Sequence, residues 1–194
     1  SEIHEAVCTL LALDQAGAYT CVVTDDRGTQ RISNAATLEV ASPLEWTIQP
    51  TSTRGYTGAA ASFAVAASGG FAPLSYQWQK DGEDLPGATS ATYAIGALTL
   101  DQVGTYRCVV SDDLGTALTS DVADLDVAAP LDITQEPENV RGYVDESALL
   151  SVQVAGGFAP ITYQWTQDGE NLEGATASTY DPGPLCVPVM GTYT

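Results

Sequence analysis

The sequence repeats itself with a period of 87 residues and without gaps. The stretch "GAYTCVVTDDRGT" at 17–29 returns as "GTYRCVVSDDLGT" at 104–116. The stretch "GGFAPLSYQWQKDGEDLPGAT" at 69–89 returns as "GGFAPITYQWTQDGENLEGAT" at 156–176. Self-similarity at a fixed period is the signature of one structural unit used several times. The chain must therefore fold as copies of a unit of about 87 residues.

Three copies are represented in the 194 residues, and one of them is complete. The motif "GTYT" at 191–194 begins the next occurrence of the first repeated stretch. We predict the C-terminal strands of one repeat at 1–41, a complete repeat at 43–129 and the N-terminal strands of a third at 130–194.

The complete repeat has the pattern of an all-β unit. Apolar residues alternate with others in short segments between Asp- and Gly-containing turns, and no helical period is visible. Leu74, Tyr76 and Trp78 share one face of a strand, and Tyr106 and Cys108 share a face of another. Roughly seven or eight strands in a unit of this length predict a two-sheet β-sandwich.

Charge and hydropathy exclude two classes of partner. The formal net charge is −19 and Lys80 is the only lysine, so the surface repels nucleic acid phosphates and anionic lipid headgroups. No apolar run approaches the ~20 residues that a membrane span needs. No secretory leader is visible at 1–17, so we expect that a leader was removed or that the chain is an internal piece.

The tryptophan and cysteine motifs resemble those of immunoglobulin-like domains. "YQW" at 76–78 follows the second strand, and "GTYRC" at 104–108 places a tyrosine two residues before the cysteine of the sixth strand. The final strand reads "AATLEV" at 35–40 and "VADLDV" at 122–127. Together these motifs are similar to the tandem immunoglobulin-like domains of bacterial surface proteins. The resemblance implies an extracellular or cell-surface location and a non-enzymatic role, although this fold hosts many functions.

The resemblance also implies where a disulfide would lie. In the family the partner of the sixth-strand cysteine stands about a dozen residues before the tryptophan. Here Val65 and Val152 occupy that position, thirteen residues before Trp78 and Trp165. The complete repeat should therefore lack the bridge, and Cys108 should be a buried free thiol that packs as a small apolar residue. The predicted core residues are Val65, Trp78, Leu98, Tyr106 and Cys108, with Val152 and Trp165 in the third repeat.

The remaining cysteines do not establish a redox compartment. Cys21 is the equivalent of Cys108, and Cys8 stands thirteen residues earlier, so a Cys8–Cys21 bridge stays open. Cys186 falls in a loop-like stretch and its state is undetermined.

Candidate chemistry is sparse. His4 is the only histidine and has no placed nucleophile, and there is no zinc spacing or phosphate-binding loop. We therefore predict no enzyme activity and no cofactor. The acids of two tight turns, Asp25, Asp26, Asp112 and Asp113, are weak calcium candidates, and local turn chemistry is the favoured explanation for them.

Two further motifs recur on the predicted surface. "RGY" stands at 54–56 and 141–143, and "GGFAP" stands at 69–73 and 156–160. We predict that Phe71 and Phe158 in the second motif pack against a neighbouring domain. Binding of a surface protein or a glycan by an exposed aromatic side chain is the alternative.

The two partial repeats leave the function open between three hypotheses. Each piece lacks strands that would close its core and leaves an unpaired edge. The strands of one chain could complete the sandwich of the next, which would build a fibre because such a head-to-tail contact does not close on itself. The chain would then be the subunit of a structural rod. The alternatives are a stalk or spacer fragment of a larger adhesin and an accessory module of a secreted hydrolase.

Overall fold

A computed structural model describes residues 11–143 and 146–183 of the chain, and this part is almost entirely β-structure. Two short 3-10 helices cover Leu13–Gln15 and Leu100–Gln102. The strands of the described residues are β1 Gly17–Tyr19, β2 Val22–Thr24, β3 Gln30–Ile32, β4 Ala36–Leu38, β5 Glu45–Ile48, β6 Thr53–Tyr56, β7 Ala61–Ala64, β8 Ala66–Ser68, β9 Ser75–Lys80, β10 Glu83–Asp84, β11 Thr92–Ile95, β12 Gly104–Ser111, β13 Ala117–Thr119, β14 Ala123–Ala128, β15 Asp132–Gln135, β16 Leu150–Ser151, β17 Gln153–Ala155, β18 Thr166–Gln167, β19 Glu170–Asn171 and β20 Thr179–Tyr180.

The described residues fall into two compact units. Unit one contains the residues up to Ser52 together with Ser62–Tyr93 and Thr105–Ala123. Unit two contains Thr53–Ala61, Ala94–Gly104 and the described residues from Asp124 onward.

Unit one contains the tryptophan and cysteine strands of the complete repeat. Strand β12 runs antiparallel to β9 and places Cys108 opposite Trp78. Strand β10 pairs with β9, and the turn between them uses positive φ angles at Asp81 (51°) and Gly82 (92°). The Asp81 carboxylate accepts a hydrogen bond from the Thr105 backbone N–H at 2.8 Å, which ties this turn to the start of β12.

Aromatic rings fill the core of unit one. The Phe63 ring lies 4.8 Å from the Tyr106 ring and 6.0 Å from the Trp78 ring, measured between centroids. The Trp78 indole N–H donates to the Ser90 backbone carbonyl at 2.8 Å, so the largest buried side chain keeps its polar atom satisfied. The buried apolar residues of this unit are Leu44, Phe63, Val65, Trp78, Tyr106, Cys108, Val110 and Ala123.

The first repeat has the same local structure but an uncovered face. Strand β1 pairs with β4 and β2 pairs with β3, all antiparallel. Tyr19 is 53% exposed, whereas Tyr106, its equivalent in the complete repeat, is 1% exposed. These strands therefore form without burying their apolar side chains among the described residues.

Unit two joins strands of the second and third repeats. Strand β14 runs parallel to β6, with Leu125 opposite Thr53. A Cβ on Gly55 would approach Leu98 Cδ1 to 2.7 Å, which explains the glycine between Arg54 and Tyr56. The buried apolar residues of this unit are Ile95, Leu98, Leu125, Val127 and Ala175.

The third repeat repeats the hydrogen bonds of the second around a more open core. Strands β15 and β17, β16 and β20, and β18 and β19 pair antiparallel. The Trp165 indole N–H donates to the Ala177 carbonyl at 2.9 Å, and its ring stacks on Tyr180 at 6.0 Å. Trp165 and Val152 are nevertheless only half-buried, unlike Trp78 and Val65. The described strands of this repeat therefore do not enclose its tryptophan.

Candidate functional site: the junction between repeats

Two adjacent glycines hold the linker that enters the third repeat. Gly156 has a φ of +70°, and a Cβ there would lie 2.1 Å from the Pro130 carbonyl oxygen. The Gly157 backbone N–H donates to the Ala129 carbonyl at 2.8 Å. Only a residue without a Cβ permits this approach of two backbone segments.

The same arrangement occurs at the start of the complete repeat. Gly69 has a φ of +74°, and a Cβ there would lie 2.0 Å from the Pro43 carbonyl oxygen. The Gly70 N–H donates to the Ser42 carbonyl at 2.8 Å. The glycines of "GGFAP" thus have the same function in both repeats, which is to fix the incoming linker.

The phenylalanine of the same motif contacts the preceding repeat. The centroid of the Phe158 ring lies 5.2 Å from that of Tyr56, and the Arg54 guanidinium carbon lies 5.4 Å from the Phe158 ring centroid. A guanidinium at this distance over a ring is attracted by the ring's negative face. Phe158 therefore contacts side chains of the preceding repeat within unit two, and the packing of Phe71 and Phe158 against a neighbouring domain stays a prediction.

An open cleft of about 460 Å³ lies beside this contact. Its walls include Arg54, Tyr56, Leu131, Phe158 and Ile161. The cleft combines one cation with aromatic and aliphatic surface, so the alternative of glycan or protein binding stays open here.

Asp112 is a buried carboxylate whose oxygens are occupied by backbone donors. Its Oδ1 accepts from Leu114 N at 3.1 Å and Thr116 N at 2.8 Å, and its Oδ2 accepts from Phe71 N at 3.2 Å. Asp113 completes the link, because its N–H donates to the Phe71 carbonyl at 2.9 Å. The turn after β12 therefore positions the "GGFAP" loop.

Asp25 forms the corresponding turn in the first repeat. Its Oδ1 accepts from Arg27 N at 3.0 Å and Thr29 N at 2.7 Å. Asp26 and Asp113 are exposed. Within residues 11–143 and 146–183, no group of three or more His, Cys, Asp or Glu side chains is placed to hold a metal ion. The four acids are thus explained by turn geometry in the described structure.

We expect Asp112→Asn to destabilise the complete repeat at neutral pH more than at low pH. Burial by itself raises the pKa of Asp112, but the hydrogen bonds from Phe71, Thr116 and Leu114 together lower that pKa below its ordinary value. A lowered folded-state pKa contributes stability that is present above the unfolded value of about 3.9 and is lost as the pH falls through the folded value. The difference in Tm between wild type and variant should therefore shrink between about pH 7 and pH 2.

Thermal unfolding followed by circular dichroism across this pH range measures the effect. Asp113→Asn is the matched control, because it removes the same charge from an exposed neighbour. A difference in Tm that stays constant with pH would show that the Asp112 carboxylate is not held in its ionised form.

Cys108 is a fully buried thiol in the described structure. It is 0% exposed, its N–H donates to Ser120 Oγ at 2.9 Å, and burial raises the pKa of its thiol to about 11. Val65, which the resemblance places at the partner position, is 5% exposed. A protonated, inaccessible thiol is unreactive because the thiolate is the nucleophile.

Cys21 has the same backbone environment but an exposed thiol. Its N–H donates to Ser33 Oγ at 2.9 Å, as Cys108 does to Ser120, and it is a free cysteine. Because Cys21 is free, the Cys8–Cys21 bridge that the sequence left open is not formed in this structure. Cys8, Cys186 and His4 lie outside the described residues, so the state of Cys186 and the surface position of His4 stay predictions.

We expect a thiol reagent to modify Cys108 only after unfolding. In the native protein Cys21 should react and Cys108 should not, because their exposures differ. Unfolding without a reductant should then expose Cys108 as a free thiol, as peptide mass spectrometry would show. A mass that corresponds to a disulfide containing Cys108 would contradict the inference from Val65.

The sequence missed two features of this junction. The bond from Phe71 N to Asp112 links residues 41 positions apart, and no local pattern predicts such a pairing. The approach of Gly69 to Pro43 had a visible signal, since "GG" follows a proline-containing linker at the same distance in both repeats.

Comparison with solved structures decides the fold. The chain is similar to the titin immunoglobulin domains I67–I69 (E-to-A variant), with a TM-score of 0.64 and 18% identity over 84% of this chain and 59% of that one. It is also similar to Sidekick-1 immunoglobulin domains 1–4, with a TM-score of 0.62 and 19% identity over 91% of this chain and 52% of that one. The fold is the immunoglobulin-like β-sandwich, in tandem. Both sequence expectations, the all-β class and the tandem immunoglobulin-like repeats, are confirmed.

Three known proteins resemble parts of this chain in sequence as well. The human cell adhesion molecule DSCAML1 is 29% identical over 169 residues, which is 81% of this chain and 8% of that protein. Rat neogenin is 28% identical over 168 residues, 79% of this chain and 12% of neogenin. The decoration protein of Escherichia phage T5 is 40% identical over 55 residues, 28% of this chain and 34% of that protein. The chain spans well under two thirds of each of these proteins.

No protein-family profile matches the chain. These similarities are to animal proteins and a phage protein, so the bacterial origin that the motifs imply is still only a prediction. None of the helices in the described residues has the length and apolar character to cross a membrane.

Proposed function

We propose that the chain is a non-enzymatic, tandem immunoglobulin-like segment of an extracellular or cell-surface protein with a structural or adhesive role. The proposal rests on the junction between repeats. There the glycines of the "GGFAP" motif fix the linker that enters the repeat, and Phe158 contacts the preceding repeat. A unit that carries its own junction in each copy is suited to stacking. Similarity to a cell adhesion molecule over most of the chain supports the same role.

Among the described residues, the side chains that could take part in chemistry have structural roles, which fit the non-enzymatic part of the proposal. In the described residues, no cluster of potential metal ligands occurs and the Asp25 and Asp112 carboxylates bind backbone N–H groups. Burial raises the pKa of the Cys108 thiol to about 11, which disfavours a nucleophilic role for this residue.

Surface accessibility in the source organism tests the proposal. An antibody against the 194-residue chain should label intact cells, and protease treatment of intact cells should remove the epitope. A cytosolic marker serves as the control for leakage. Labelling that requires lysis would contradict an extracellular role.

The similarity to a phage decoration protein favours a second candidate. The identity to the decoration protein is 40% over 55 residues, which is higher than the 29% identity to DSCAML1, although the match covers less of the chain. The repeats would then be a module displayed on the outside of a larger particle. Purified particles that contain the chain, with intact-cell labelling negative, would support this candidate over the first.

We propose in addition that a second copy can complete the third repeat. In the complete repeat Tyr106 and Cys108 lie in the core beside Trp78, whereas their equivalents Tyr19 and Cys21 are exposed. Trp165, the equivalent of Trp78, is half-buried and borders an open cleft of about 330 Å³ together with Val152 and Ile161. Strands β1 to β4 of one chain would place Tyr19 and Cys21 over the open face around Trp165 of another chain. The repeat boundaries in this proposal are 1–41, 43–129 and 130–194.

Light scattering after size-exclusion chromatography tests the completion by strands. The molar mass of the 194-residue chain should grow with concentration, and amides at 17–24 should become protected from exchange as it does. A monomer at every concentration would contradict head-to-tail assembly and would favour a stalk whose neighbouring repeat belongs to the same polypeptide.

A further inference from the structure

We propose that Arg141, Gly142 and Tyr143 form a docking surface for the "GGFAP" loop of a second copy of this chain, with Phe71 as the inserted side chain. The proposal rests on the head-to-tail arrangement proposed above, and it adds a second contact to that arrangement.

The first observation is that the chain already makes this contact once. Arg54 and Tyr56 lie against Phe158, with the guanidinium carbon 5.4 Å and the tyrosine centroid 5.2 Å from the phenylalanine ring centroid. Arg54 and Tyr56 belong to the "RGY" motif of the complete repeat, and Phe158 belongs to the "GGFAP" motif of the following repeat. In this contact the phenylalanine of a "GGFAP" loop packs against the arginine and tyrosine of the "RGY" motif in the preceding repeat.

The second observation is an "RGY" motif whose aromatic side chain is uncovered. Arg141 and Tyr143 are the 87-residue equivalents of Arg54 and Tyr56. Tyr143 is 82% exposed, whereas Tyr56, which contacts Phe158, is 44% exposed. A cleft of about 360 Å³ lies beside this motif, and Val140 and Ala148 contribute apolar surface to it.

The docking surface is held in shape before any partner arrives. The Glu146 carboxylate accepts a hydrogen bond from Tyr143 N at 2.8 Å, and a Cβ on Gly142 would be 3.4 Å from the same carboxylate. Binding would therefore require little ordering of the backbone at 142–143, which favours association.

The proposed occupant is also fixed in shape. Phe71 is the equivalent of Phe158, and two hydrogen bonds hold its loop. The Phe71 N–H donates to the Asp112 carboxylate, and the Phe71 carbonyl accepts from the Asp113 N–H. Gly69 and Gly70 hold the linker as Gly156 and Gly157 do. The loop that bears Phe71 is therefore built like the loop that bears Phe158.

The sequence positions make both contacts compatible with one arrangement. Phe71 precedes Phe158 by 87 residues, and Arg54 precedes Arg141 by the same distance. A second copy whose strands β1 to β4 complete the third repeat would supply Phe71 as the next "GGFAP" loop along the array. A second copy of the chain therefore carries the loop that the repeat pattern places against Arg141 and Tyr143.

Sedimentation velocity on three variants and one mixture tests the proposal. Phe71→Ala removes the inserted ring, and Tyr143→Ala removes an exposed partner without disturbing a core. Each variant alone should associate about tenfold more weakly than wild type, equivalent to ~1.4 kcal/mol. Leu100→Ala is the control, because it removes an exposed apolar side chain outside both motifs and should leave association unchanged.

The mixture distinguishes specific docking from general loss of stability. A Tyr143→Ala chain still has Phe71, and a Phe71→Ala chain still has Tyr143. At concentrations at which neither variant alone associates, an equimolar mixture should therefore form dimers, whereas wild type forms larger assemblies. Circular dichroism of each variant should show an unchanged unfolding transition of the complete repeat.

The outcomes separate this inference from the function on which it rests. Variants that associate like wild type, with amides at 17–24 protected, would overturn Phe71 docking and leave strand completion standing. A mixture that stays monomeric while wild type associates would also overturn it. A monomeric wild type would overturn both contacts between chains, and the surface role would still be decided by antibody labelling of intact cells.

Discussion

Trp78→Ala is expected to lower the free energy of unfolding of the complete repeat by roughly 3–5 kcal/mol. Trp78 is 0% exposed, and its ring centroid lies 6.0 Å from that of Phe63 and 6.2 Å from that of Tyr93. Its indole N–H donates a hydrogen bond to the Ser90 backbone carbonyl. Truncation to alanine would leave a cavity among these rings and an unpaired Ser90 carbonyl. Such a loss is a large fraction of the ~5–15 kcal/mol by which typical domains are stable.

Urea denaturation followed by fluorescence and circular dichroism measures this loss. Trp165→Ala is the matched control, since Trp165 has the same place in its repeat and the same indole hydrogen bond but is only half-buried. Its effect on the transition of the complete repeat should be small. A loss below about 1 kcal/mol for Trp78→Ala would mean that the enclosed core does not stabilise the repeat.

Gly69→Ala is expected to cost more than ~2 kcal/mol of stability, because two unfavourable effects combine at this position. The φ of +74° is one that L-residues avoid at a cost of roughly 1–2 kcal/mol. In addition, the new Cβ would lie 2.0 Å from the Pro43 carbonyl oxygen, a separation that requires the linker to move. The Gly70 hydrogen bond to Ser42 would be lost with it.

Gly87→Ala is the control that isolates the cost of the backbone angle. Gly87 has a φ of +76° and nothing within 4 Å of the position of a Cβ. The Gly87→Ala variant should therefore lose only about 1–2 kcal/mol of its free energy of unfolding. Equal losses at the two positions in chemical denaturation would contradict a steric requirement at the junction.

Much of the fold could be predicted because the decisive patterns are local. Alternation along β12 predicts that Tyr106, Cys108 and Val110 share a face, and the structure buries all three. The period of 87 residues predicts equivalent local structure in successive repeats, and the glycines at 69 and 156 adopt the same φ within a few degrees. The motifs around Trp78 and Cys108 led to the immunoglobulin-like sandwich for the same reason.

The junction could be predicted only in part, because its contacts join residues that are distant in sequence. The repeated "GGFAP" indicated that Phe158 meets a neighbouring domain, but only the structure identifies Arg54 and Tyr56 as its partners. The paired acids likewise gave no sign that the Asp112 carboxylate accepts backbone hydrogen bonds from its own turn and from Phe71.

Amino-acid sequence by itself determined the repeating unit, its strands and its interior face, since each depends on spacing along one segment. Tertiary structure alone decided how much of each face is covered. Trp78 and Trp165 stand in nearly identical sequences, yet one is enclosed and the other half-buried. The physical reason is that burial depends on which other strands pack over a side chain, and the strand that places Tyr106 and Cys108 beside Trp78 has no described counterpart at Trp165.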